Sequence, residues 1–332
     1  MEEKSFSNPF DYSLSHYLQS VVKDLVARHP QHFASLDEWV AFRESFLARL
    51  RQELGMPFRS PMRSHVVEAI ECEGCLRERV AFLFDRDCYV AAHVWSCPAV
   101  EGRKPGIVLS PGWPQHKWNE TFNQLGLRWA TEGFVVAILD HAPFGERERT
   151  DLEMTNLVGV GAAVGMPNIG LRAFEDMRAL DYLASRPDVD PERIGITGLC
   201  QGGMDTWLAG ALEERFKAVC PVCSATTHEA WALDFNCFGN LGDVSPYIPN
   251  LLKHGDVHHI HASIAPRPLL VQANINDNWW PLSGYRKIVN LCQEVYALYE
   301  ASDRFRAFAD CATHNIAPPF DGRVTEWFKK WL

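Results

Sequence analysis

One cysteine stands where a strand-like run passes into a helix-like one: Arg193-Ile194-Gly195-Ile196-Thr197-Gly198-Leu199-Cys200-Gln201-Gly202-Gly203. A Gly-x-Cys-x-Gly turn at such a junction strains its central residue and leaves no room for bulky neighbours. It lifts the central side chain above the sheet, at the positive end of a helix. That helix end favours a thiolate, the nucleophilic form of cysteine. Cys200 is therefore predicted to be a nucleophile. A buried turn thiol is the plain alternative, but strand, both glycines, cysteine and helix start all meet at one junction.

A thiol nucleophile needs a base and a group that orients the base. After a turn of this kind the acid and then the histidine follow in chain order. The strand-like Pro268-Leu269-Leu270-Val271-Gln272-Ala273 leads into Asn274-Ile275-Asn276-Asp277-Asn278-Trp279-Trp280-Pro281, which puts Asp277 in a loop at a strand's carboxyl end. His314 follows Phe305-Arg306-Ala307-Phe308-Ala309 and precedes a final amphipathic helix over Val324 to Leu332. Asp277 and His314 are the predicted acid and base, with Asp234 as the alternative acid. His254, His258, His259 and His261 crowd a stretch before Pro266-Arg267-Pro268 where only Asp256 offers a carboxylate. They read as solvated loop residues, not metal ligands. Cys72-x-x-Cys75 and Cys220-x-x-Cys223 have zinc-ribbon spacing but lie far apart, so no metal is expected from them.

Acyl transfer also needs two backbone N–H groups aimed at the developing oxyanion. Gln201, next after the nucleophile, is one predicted donor. Trp113, in the Ser110-Pro111-Gly112-Trp113 loop after the apolar Ile107 to Leu109, is the other. Trp113, Phe144, Trp279 and Trp280 could wall a site for a planar or apolar acyl group, or pack the core instead.

The elements that must carry these residues are legible from periodicity. Apolar positions at helical spacing from about Asp11 to Leu54 predict a helical N-terminal extension over 1–60, ended by Pro57 and Pro61. Alternation through Val66 to Ile70, Val80 to Phe84 and Tyr89 to Trp95 predicts antiparallel strands. From Pro105 the order becomes strand, loop, helix, strand. Buried-type strands run at Ile107 to Leu109, Phe134 to Leu139, Ile194 to Thr197 and Pro268 to Val271. Helices run near Thr121 to Thr131, Leu171 to Ser185, Gly202 to Leu212 and Pro281 to Glu300. This predicts an α/β fold, a mostly parallel sheet flanked by helices, over 61–332. The Gly-rich Val158 to Gly165 lacks a phosphate-loop Lys-Ser or Lys-Thr and reads as a flexible loop.

With 332 residues, 47% of them hydrophobic, the chain can bury a large core. A net charge of -10 without a basic run argues against nucleic-acid or anionic-membrane partners. The acidic start Met1-Glu2-Glu3-Lys4 does not read as a secretory signal, and ten cysteines fit a reducing, cytoplasmic compartment. No cofactor is expected; a homodimer is left open.

Taken together, these residues resemble the dienelactone-hydrolase-like and acetylxylan-esterase-like branch of the α/β-hydrolase superfamily. The likeness runs from about Pro61 onward. It includes Arg186-Pro187-Asp188-Val189-Asp190-Pro191-Glu192-Arg193-Ile194-Gly195, Tyr247-Ile248-Pro249-Asn250-Leu251-Leu252 and Ile264-Ala265-Pro266-Arg267-Pro268-Leu269-Leu270. The resemblance implies an α/β-hydrolase fold and a carboxylic ester or lactone as small-molecule substrate, cleaved through a Cys-His-Asp triad and a thioester. Many relatives carry Ser at the position of Cys200, whereas dienelactone hydrolases use Cys. Relatives often show His-Gly where this chain has Pro111-Gly112. Two other classes stay open: an acyltransferase or cyclase using the same acyl-enzyme, and a non-catalytic small-molecule receptor on the same fold.

Overall fold

The computed structural model describes residues 13–148, 154–233, 246–314 and 322–332. Its centre is a nine-stranded sheet: β1 (Ser64–Cys72), β2 (Cys75–Asp85), β3 (Cys88–Ser96), β4 (Lys104–Ser110), β5 (Val135–Asp140), β6 (Val189–Leu199), β7 (Phe216–Val222), β8 (Leu269–Asn274) and β9 (Phe305–Asp310). The spatial order is β1-β2-β3-β5-β4-β6-β7-β8-β9. Strands β1, β2, β3 and β5 pair antiparallel, and every pair from β5 through β4 to β9 is parallel. The hairpin between β1 and β2 turns through Glu73 and Gly74, both at positive φ, as a two-residue turn matched to strand twist requires.

The parallel strands are apolar on both faces because helices cover both. Alternation splits their side chains between two cores. Val108, Val135, Ala137 and Leu139 face one, and Ile107, Leu109, Val136 and Ile138 the other. Helices α3 (Glu120–Thr131) and α10 (Arg323–Trp331) close the second core with Phe122, Trp129, Val324 and Phe328. The first is covered by α5 (Asn168–Ser185), α6 (Gln201–Leu212), α8 (Val257–Ala262) and α9 (Leu282–Leu298). The chain also forms α1 (Leu14–Val26), α2 (Leu36–Leu54), α4 (Met154–Ala163) and α7 (His228–Leu233). Among the described residues no single helix is long and apolar enough to cross a membrane.

The N-terminal helical stretch is two helices, broken around Pro30; Asp11 lies outside the described residues. Helix α1 is largely exposed, with only Val26 buried. Helix α2 is different: Trp39, Phe46, Leu47, Leu50 and Leu54 are buried in the same core as α5 and α6. Polar clamps fix it there, since Arg43 donates to the Ser263 carbonyl at 2.9 Å and Arg51 to that of Leu212 at 2.6 Å.

Two sequence expectations are corrected. Val158 to Gly165 is mostly helix, not flexible loop: α4 runs to Ala163, and Gly165, at φ +74, ends it. The Met166 N–H then donates to the Gly161 carbonyl, and a Cβ on Gly161 would lie 2.6 Å from the Met166 carbonyl oxygen. Glycine here serves a close chain reversal, which composition alone reads as flexibility. The histidine cluster is likewise not a solvated loop, for His258, His259 and His261 are buried on α8. Asp256 caps that helix in a box closed by His259, and His261 Nδ1 meets the Val257 carbonyl. His254 finds a carboxylate on Glu53, 3.5 Å away. Burial lowers the proton affinity of His258, His259 and His261, so these rings are neutral packing groups.

Candidate active site

The sharpest backbone feature of the fold is the step from β6 into α6. Cys200 caps α6 with φ 59 and ψ -121, a positive-φ conformation that costs a non-glycine residue about 1–3 kcal/mol. Close packing imposes it. A Cβ on Gly198 would lie 2.3 Å from the Gly202 carbonyl oxygen, and one on Gly202 would lie 2.0 Å from the Ser110 carbonyl oxygen. The Cys200 N–H donates to the Val222 carbonyl at the end of β7. The sulfur is thus fixed at the carboxyl end of the sheet, in front of the positive end of a twelve-residue helix.

The carboxyl ends of β8 and β9 supply the partners. The loops after them are zipped together: Ile275 N–H donates to the Asp310 carbonyl, Asn276 N–H to that of Ala312, and the Asn274 side chain to that of Thr313. Asp277, its side chain fully buried, accepts the Trp279 N–H on Oδ1 at 3.0 Å and faces His314 Nδ1 with Oδ2 at 2.7 Å. His314 also interacts with the Cys200 side chain, which raises its proton affinity. The structure therefore brings Cys200, His314 and Asp277 together from three separate elements. Asp234, the alternative acid, lies outside the described residues.

Burial alone would lower the His314 pKa. The bond to Asp277 and then the interaction with Cys200 outweigh it, raising the ring from 6.5 to about 10. Since the folded value is above the unfolded one, this contribution to stability is complete below pH 6.5 and disappears as the pH rises through 10. Asp277→Asn removes the largest raising influence. It is expected to flatten the fall of melting temperature over that pH window, as measured by thermal melts; an unchanged slope would mean that Asp277 does not hold the proton.

The loop after β4 backs onto the nucleophile. A Cβ on Gly112 would lie 2.8 Å from the Leu199 carbonyl oxygen and 3.0 Å from Cys200 Cβ, so only glycine allows this approach. Trp113 follows directly, and Gln201 begins α6 beside the sulfur. Trp113 is 45% exposed and meets Phe144 edge-on at 6.2 Å. Trp279 is 39% exposed and stacks on His314 at 5.7 Å and 25°. Trp280 behaves otherwise: it is 7% exposed and packs on Trp231 at 5.0 Å within the core, so its ring supports the acid loop and presents no open face. Neither cysteine pair belongs to a cluster of three metal-ligating atoms among the described residues. Cys72 lies opposite Cys75 across a hairpin, and Cys220 and Cys223 are buried at β7.

Comparison with known proteins fits this geometry. Residues 90–233 match the dienelactone hydrolase family. A Bacillus subtilis (strain 168) protein, YtaP, known as a hydrolase by provisional name only, is 30% identical over 201 residues, 60% of this chain and 66% of its own length. The 4-O-methyl-glucuronoyl methylesterase of Schizophyllum commune (strain H4-8 / FGSC 9210) is 30% identical over 146 residues, 37% of this chain and 36% of that protein. The match spans just under two thirds of the first of these relatives and about a third of the second. The structure of a glucuronoyl esterase from Solibacter usitatus superposes with a TM-score of 0.70 at 17% identity, over 89% of this chain and 94% of that one, a likeness of fold. The sheet order, the strained turn and these likenesses give the chain an α/β-hydrolase fold, in which residues 90–233 match the dienelactone hydrolase family.

Proposed function

We propose that the protein is a carboxylic ester hydrolase that works through Cys200, His314 and Asp277 and a thioester acyl-enzyme. The observation that carries this reading is the sulfur's setting: a strained residue at a helix N-terminus, interacting with an imidazole that a buried carboxylate orients. In this reading His314 takes the thiol proton of Cys200, which forms a thiolate beside an imidazolium. The thiolate attacks the ester carbonyl, and the N–H groups of Gln201 and Trp113 stabilise the oxyanion. His314 gives its proton to the departing oxygen as the carbon–oxygen bond breaks. The sulfur is then bound in the thioester and no longer raises the proton affinity of His314, so the ring becomes a base that takes a proton from water. Hydroxide adds to the thioester carbonyl and the thiolate leaves, regenerating the pair.

A thiolate is itself a good leaving group, so the first adduct collapses backwards unless the ester oxygen leaves comparably well. Aryl esters, enol esters and strained lactones meet that condition better than plain alkyl esters. The exposed faces of Trp113 and Trp279 beside the sulfur suit a flat or apolar acyl group. Uronic-acid methyl esters and acetylated sugars, suggested by the names of relatives, form the second substrate class to test.

The test is initial-rate measurement on phenyl acetate, dihydrocoumarin, a methyl glucuronate and an acetylated xyloside, with intact-mass detection of an acyl group on Cys200. Turnover of the aryl ester and lactone ahead of the others, with acylation confined to Cys200, is the expected outcome. No turnover of any ester and no acyl adduct would leave a non-catalytic receptor as the better reading. Ester products formed with added alcohol, at the expense of hydrolysis, would favour an acyltransferase.

A further inference from the structure

Behind the nucleophile turn lies a buried set of charges that the proposed chemistry does not use. His141 follows β5, Arg172, Glu175 and Asp176 lie on α5, and Asp205 lies on α6 five residues after Cys200; all five are at least 98% buried. His141 Nδ1 meets Glu175 Oε2 at 2.6 Å, and its Nε2 faces Asp176 at 3.4 Å and Asp205 at 3.9 Å. Arg172 is paired with Asp205 at 2.7 Å, and Arg147 with Glu175. Three cations, His141 included, face three carboxylates, so the set is closed in charge. The donor atoms of His141, Asp176 and Asp205 lie within 4.8 Å of one another, the spacing of a cation site; the imidazolium provides the positive charge there.

This set is bonded to both loops in front of the sulfur. The Ser110 hydroxyl donates to Asp176 Oδ1 at 2.5 Å, and Arg172 Nη2 donates to the Pro111 carbonyl at 3.3 Å, which holds the strand end that leads to Gly112 and Trp113. The Ser110 and Pro111 carbonyls of that strand end also lie against Gly198 and Gly202 of the nucleophile turn. His141 and Arg147 bracket the loop that carries Phe144, whose N–H donates to the His141 carbonyl at 2.8 Å. Asp205 anchors the same set to α6, so the nucleophile's helix, the Trp113 loop and the Phe144 loop share one buried hub.

We propose that Ser110 and Asp176 are positioning residues, which together with His141, Arg172 and Asp205 hold the Trp113 loop in register with Cys200 so that its backbone N–H meets the oxyanion. The oxyanion part of this inference rests on the hydrolase reading; the loop-holding part does not. A hub of this kind acts on the geometry of the carbonyl adduct and not on formation of the thiolate, so two reactions of one sulfur separate it from a general structural role. Hydrolysis needs the oxyanion donors, whereas alkylation by iodoacetamide needs only the thiolate.

In Ser110→Ala, kcat for phenyl acetate is expected to fall about 10–100-fold with KM nearly unchanged. The rate of Cys200 alkylation and its pH profile should stay within about twofold of wild type, the spread ordinary for a site whose nucleophile is undisturbed. Asp176→Asn keeps the shape and is the second variant. Amide exchange read by mass spectrometry supplies a measure independent of turnover: peptides covering 112–119 should exchange about tenfold faster or more in both variants, while those from β6 and α6 keep wild-type protection. Unchanged exchange in the loop overturns the proposal, as does alkylation that slows in step with hydrolysis. A stoichiometric divalent metal in the purified protein overturns it too, because the triangle would then be a metal centre. If wild type hydrolyses no ester, the functional reading falls while the exchange data still decide whether the hub holds the loop.

Discussion

Cys200→Ala is expected to lower kcat on phenyl acetate about 10⁴-fold or more, leaving only the residual rate that an oxyanion site and binding provide. Alanine keeps the Cβ, so the φ of 59° costs the variant as much as the parent and the melting temperature should shift little. Cys200→Gly would lose activity equally but relieve the strain, gaining about 1 kcal/mol or more of stability. The pair of variants separates chemistry from folding: both inactive, one more stable. A Cys200→Ala protein with wild-type turnover would end the covalent mechanism, since Cys220 and Cys223, the next thiols along the chain, are buried and burial raises the pKa of each.

Gly202→Ala carries the second large effect. The added methyl would sit 2.0 Å from the Ser110 carbonyl oxygen and 2.6 Å from its carbon, both backbone atoms of a central strand. Neither side can yield as the tip of a flexible side chain can, so α6 must tilt or β4 must part from β6. A loss of about 3 kcal/mol or more is expected, with activity lost at temperatures where the protein remains folded. Gly159→Ala is the matched control. That glycine lies within α4, exposed, with nothing within 4 Å of the added carbon. The same substitution there should stabilise by about 0.5–1 kcal/mol. Denaturant melts of both variants check the contrast; equal effects would mean that the tight contact at Gly202 does not exist in solution.

The parts of this fold that were legible in the sequence are those with a local cause. Strand β5 is a run of apolar residues bounded by Gly133 and Asp140, and the turn at Cys200 is written in consecutive glycines, so period and punctuation suffice. Asp277 and His314 could be found because each follows a strand, and their meeting is then a matter of topology. What remained hidden depends on contacts between distant segments. Glycine in α4 looks like a loop until Met166 folds back over it. Histidines read as polar until α8 is seen to be buried on every side. Trp280 and Trp279 are adjacent, and only the turn of the chain decides that one packs on Trp231 and the other on His314. The hub of Ser110, His141, Arg172, Asp176 and Asp205 is assembled from β4, the end of β5, α5 and α6, far apart in sequence, and charged types are ordinarily surface residues.

The way α2 is seated bears on how this protein could be shortened. A Cβ on Gly55 would strike the Gly165 carbonyl, one on Gly170 would strike that of Leu54, and one on Gly255 would strike the Phe46 ring. The helix is therefore a wedge driven between α5, α8 and α9, not an appendage resting on them. Chain scission in the exposed segment around Phe58 would leave a nick that the two fragments can bridge by staying associated. Deleting everything before that point would instead open a trough floored by the aromatic and aliphatic side chains that Trp39, Phe46 and Leu50 now cover, and such a surface in water leads to clumping and precipitation.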